Sequence, residues 1–79
     1  MSETRLQEAF QTALDLPPDT EWQSLAYGQH EHWDSLGHMA LVAEIEEAFD
    51  IMMETDDVIA LSSYPVAIDL LRRRYDVEL

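Results

Sequence analysis

Apolar residues in this chain recur every three to four positions, in short runs cut off by prolines and polar caps, and none alternates as a β-strand would. Leu6, Phe10 and Leu14, with Ala13 beside them, stack on one helical face. Thr4 with Gln7 has capping-box spacing. Pro17-Pro18 stops this helix near Leu16, because proline lacks an amide proton and forces extended geometry on the residue before it. Leu41, Val42, Ile45, Ala48 and Phe49 form the stripe of the longest helix, from residue 35 to about 50. Thr55-Asp56-Asp57 reads as the cap and acidic first turn of a short third helix running through Val58, Ile59 and Leu61. Ser62-Ser63 caps a fourth, with Pro65 in its opening turn and Tyr64, Ala67, Ile68, Leu71 and Tyr75 along one face. The pattern predicts an all-α fold, a small four-helix bundle with three main helices and a short third one, in a single domain over residues 1–79. The long connection from about Pro17 to Trp33 carries Trp22, Leu25 and Tyr27, which predicts that it packs across the bundle.

Charge narrows the function. Seventeen acids face four bases, a net charge of −13, and the bases are Arg5 and Arg72-Arg73-Arg74, so residues 6–71 contain no lysine or arginine. Phosphates and anionic membranes would be repelled, which argues against nucleic acid, whereas partners with basic patches would be attracted. With 79 residues and no cysteine, the chain has no thiolate nucleophile, and a domain this size leaves little room for a deep catalytic cavity. No catalytic residue and no enzymatic activity are expected.

Serine-histidine hydrolysis is a poor fit, since Ser35 lacks a nucleophile elbow and His38 is only its i+3 neighbour on the helix. An EF-hand starting at Asp50 would place Met52 where an oxygen ligand belongs. His30, His32 and His38 lie close together, but two precede the helix and no cysteine supports a structural zinc, so no metal centre is expected. No apolar run is long enough for a membrane span, and Met1-Ser2-Glu3-Thr4-Arg5 is not a signal-peptide opening, so the expected location is cytoplasmic.

The segment Trp33-Asp34-Ser35-Leu36-Gly37-His38-Met39 opens the second helix, with Asp34 a good N-cap and Ser35 at the first helical position. Leu36 lies roughly 140° from Leu41 on the helix, so Leu36, Met39 and Ala43 form an outward apolar strip edged by Glu46 and Glu47. An Asp-Ser-Leu at this place, followed by Ile45-Glu46-Glu47-Ala48-Phe49-Asp50 and then Thr55-Asp56-Asp57-Val58, resembles the acyl carrier protein family, and the likeness runs from Leu6 to Leu71. The resemblance implies that Ser35 carries covalent 4'-phosphopantetheine, taken from coenzyme A by a phosphopantetheinyl transferase. The arm would hold acyl or aminoacyl intermediates as thioesters in fatty acid, polyketide or other specialised acyl biosynthesis. It also implies a partner-docking face of Asp34, Leu36, Met39, Ala43, Glu46 and Glu47, meeting acyl-activating or acyl-transfer enzymes through their basic patches, with the carrier itself a monomer.

Primary fatty acid carriers usually have acids soon after the serine, where this chain has Gly37, His38 and Ala40. That opening looks more like stand-alone carriers of specialised pathways. Gly37 is expected to weaken the first turn by about 0.5–1 kcal/mol relative to Ala, and His38 to sit near the top of the core and touch cargo. The alternative from another class is an unmodified acidic helical adaptor that binds a basic protein partner.

Overall fold

The computed structural model describes residues 2–79. Four helices follow one another: α1 (Ser2–Leu14), α2 (Ser35–Phe49), α3 (Thr55–Ala60) and α4 (Tyr64–Arg74). Among the described residues there is no strand, only an isolated bridge between Ala26 and Ser63. The architecture is all-α, with the short third helix where the apolar pattern puts it. No helix among the described residues is long and apolar enough to cross a membrane.

The expected stripes make the core. Leu6, Phe10 and Leu14 of α1, Leu41, Val42 and Ile45 of α2, and Tyr64, Ala67 and Leu71 of α4 are buried. The first connection is packed down as expected. Leu16, Leu25 and Trp33 are buried, and Trp22 heads a single 3₁₀ turn at Trp22–Ser24. The Trp22 ring lies 6.1 Å from that of Phe10 and 4.8 Å from that of Tyr64. Gly28 adopts a φ of 83°, the left-handed region that glycine reaches without strain, and its amide donates to the Trp33 carbonyl at 3.2 Å. The connection is then pinned to the α3–α4 junction, where Tyr27 N–H donates to Ser62 O at 2.8 Å and Tyr64 N–H to Leu25 O at 3.0 Å.

Several local readings change. α1 ends at Leu14, before the prolines act, because Asp15 turns left-handed at φ 54° and the Leu16 amide reaches back to Gln11 O at 3.4 Å. The same ending recurs after α2, with Asp50 at φ 55° and Ile51 N–H on Glu46 O at 3.1 Å; both are Schellman closures with aspartate where glycine is usual. Thr4 lies inside the first turn of α1, and Gln7 uses its side-chain amide on the Tyr64 hydroxyl at 3.2 Å rather than in a capping box. That hydroxyl donates to Glu3 at 3.0 Å, and burial pushes the phenol up to about 12. On α4, Ser63 accepts from Val66 N–H at 3.2 Å, the cap expected of it.

The N-cap of α3 is Glu54, not Thr55, and it makes no side-chain capping bond. Asp57 does not face solvent at the helix mouth: it is 4% exposed. It pairs with Arg74 Nε at 2.8 Å and accepts a hydrogen bond from the Tyr75 hydroxyl, whose oxygen in turn accepts from Glu54 N–H at 2.9 Å. The Tyr75 and Arg74 hydrogen bonds hold the Asp57 carboxyl below its ordinary value of 3.8, against the opposing effect of burial. This cluster fastens α3 to the end of α4. The neighbouring arginines are engaged too, Arg73 with Asp69 at 3.4 Å and Arg72 with the Leu79 carbonyl at 2.7 Å.

Candidate functional site

The start of α2 is built as the sequence indicates. Asp34 is extended at φ −110° and ψ −164°, and its carboxylate accepts from Gly37 N–H at 2.9 Å. Ser35 is the first helical residue and is exposed. The N–H groups of a helix's first turn have no acceptor inside the helix, so the backbone around Ser35 favours an anion. Asp34 already takes one of these donors and adds its own negative charge.

Gly37 follows Leu36 for a reason the sequence did not disclose. Its Cα abuts the His32 carbonyl as the incoming connection turns into α2, and a side chain there would collide with that oxygen.

Of the proposed docking face, Leu36 (82% exposed) and Met39 (62%) stand out from the bundle, and Ala43 is exposed beside them. Glu46 is committed to the fold, since its carboxylate accepts from Met53 N–H at 2.8 Å and closes the turn after α2. Glu47 is exposed but lies about 16 Å along the helix from Leu36, at 1.5 Å per residue, beside a groove it shares with Arg5 and Glu8 of α1. The structure thus gathers Asp34, Ser35, Leu36 and Met39 at one end of α2 and leaves Glu46 and Glu47 at the other.

Sequence reasoning missed a cleft on whose rim Ser35 sits. It has a volume of about 340 Å³ and lies between the start of α2, helix α3 and the first connection. Its apolar wall comes from Tyr27, Met39, Val58, Ile59 and Leu61, with the Ser62 hydroxyl at the edge. One signal was legible: α3 has six residues, and Val58, Ile59 and Leu61 cannot share one inward face at about 100° per residue. Ile59 is the one left out, 75% exposed.

His38 also lines this cleft. Its Nδ1 accepts from the Trp33 indole N–H at 2.9 Å and its Nε2 meets the Val58 carbonyl at 2.8 Å. The indole nitrogen only donates, so Nδ1 is the acceptor and the ring proton is on Nε2, donated to Val58. Both His38 ring nitrogens are thus engaged, while His30 and His32 bond to each other through His32 N–H and His30 Nδ1 at 3.1 Å. Among the described residues no three His, Cys, Asp or Glu side chains are grouped to hold a metal ion.

No family model, curated protein or solved structure matches the chain.

Proposed function

We propose that this protein is an acyl carrier, with Ser35 the attachment point of 4'-phosphopantetheine. The observation that carries the reading is the placing of one exposed serine hydroxyl at the first position of a 15-residue helix, on the rim of an apolar cleft. A tethered thioester there has an anchor reachable without unfolding and an apolar surface beside it for its acyl group. The chain's own part is to present Ser35 Oγ, hold the helix start through Asp34, and shelter what the arm carries.

The transfer itself belongs to a phosphopantetheinyl transferase, which supplies base and metal. Ser35 Oγ loses its proton to that base and bonds to the phosphorus next to pantetheine in coenzyme A. The diphosphate P–O bond breaks, and 3',5'-ADP leaves with the electron pair. When bound, the arm supplies a thiol for thioester exchange. Asp34, Leu36, Met39 and Ala43, with Glu46 and Glu47 further along, would meet basic patches on acyl-activating or acyl-transfer enzymes, in the cytoplasm and with the carrier as a monomer. The strongly negative surface supports positively charged protein partners and not nucleic acid.

Intact-mass measurement after co-expression with a broad-specificity transferase tests this. One added phosphopantetheine is expected, and none on Ser35→Ala. An unchanged mass with several transferases would leave the acidic adaptor, which needs the apolar strip of Leu36 and Met39 but has no use for the cleft at Ser35.

A further inference from the structure

One side chain in the lining of the cleft beside Ser35, His38, ties its two helices together. The bond from His38 Nε2 to Val58 O runs from α2 to α3, across the seam on which Ser35 opens. The opposite ring nitrogen is held by Trp33, which is completely buried, so the imidazole is fixed on both sides. Tyr27 stands edge-on to His38 with ring centres 5.4 Å apart and walls off the first connection. Beyond the lining, Leu41 and Leu71 are sealed from solvent at 1% exposure or less.

We infer that the cargo is a compact apolar acyl group, a short or branched chain or one aromatic ring, and that His38 sets its size limit. This rests on the carrier reading and deepens it. At about 30 Å³ for each water-sized group, 340 Å³ matches about ten non-hydrogen atoms, which is the sulfur and oxygen of a thioester and an acyl chain of about eight carbons. A longer linear chain has to break the His38–Val58 bond or lie in water.

The test loads Ser35 with acyl-pantetheine from straight-chain acyl-coenzyme A of about four to twelve carbons, using a permissive transferase, and melts each mass-confirmed product. In the parent protein Tm rises by about 2 °C per carbon, as expected for half-buried methylenes, and stops rising at about eight carbons. His38→Ala, which removes both bonds and the ring, continues to rise through the longest chains. His38→Leu keeps most of the ring's volume, so it folds even where His38→Ala does not, and by cutting the tie to Val58 it also moves the break to longer chains. Leu6→Ala, far along the bundle, lowers every Tm and leaves the break where it was. An unbroken rise to twelve carbons in the parent protein overturns the inference, as does an unmoved break in the folded His38 variants. Failure to gain the arm at all is a separate result: it removes the carrier reading, and this inference with it.

Discussion

Gly37 and the His32 carbonyl oxygen are in such close approach that no β-carbon fits between them. The Leu14 side chain closes the other side, 3.1 Å from where that carbon would lie. Helix propensity alone favours alanine here by about 0.5–1 kcal/mol. Overpacking against backbone costs more, about 1–3 kcal/mol, so the sign reverses. Gly37→Ala should lower unfolding free energy in urea titrations. A neutral or stabilised variant would mean that the entry into α2 has slack.

Asp50→Gly should have the opposite effect. Asp50 is exposed, left-handed at φ 55°, and sits at the negative end of α2. Glycine removes the backbone strain and an unfavourable charge together, for a gain of about 1–2 kcal/mol. Thermal melting would show a rise of several degrees; no change would mean that the closure tolerates aspartate at no cost.

Asp57 ties acid sensitivity to the α3–α4 junction. Its carboxyl is held below the ordinary 3.8 by Tyr75 and Arg74, so its stabilisation is complete above that value and disappears as pH falls through the lowered one. Asp57→Asn should melt about 5 °C lower at neutral pH. The gap should then narrow as pH falls below about 4. A gap that stays constant over that range would show that the charge on Asp57 is not what matters.

Seventeen acids on so small a surface repel one another. Raising salt from about 0.02 M to about 0.5 M should therefore raise Tm by several degrees, since the Debye length shrinks well below the size of the molecule. Melting insensitive to ionic strength would remove self-repulsion as a significant cost.

The helices and their buried stripes were legible because a 3.6-residue period needs only the order of apolar residues. Tyr64 and Leu71 are examples, and both are buried. Asp34 and Ser63 were legible as caps, because capping is a contact with the next turn. What escaped the sequence was settled between distant segments. Asp57 looked like an ordinary first-turn acid because Arg74 and Tyr75 lie 17 and 18 residues away. The bond from Met53 N–H to Glu46 could not be read locally, because it forms only when the chain returns past α2. The cleft at Ser35 needs Tyr27, Met39 and Leu61 from three different segments, and no local pattern announces such a meeting.

The arginine run at the end of α4 has a consequence for traffic between molecules. Arg73 and Arg74 are answered by carboxylates and Arg72 by the Leu79 carbonyl, and no other arginine or lysine occurs between residues 6 and 71. On the proposed carrier reading, two copies meeting serine to serine would confront each other with the same sign, so neither would be suited to hand anything to its twin. Exchange between them calls for a positively charged intermediary, and thinning its cations should slow delivery before it weakens the bound complex.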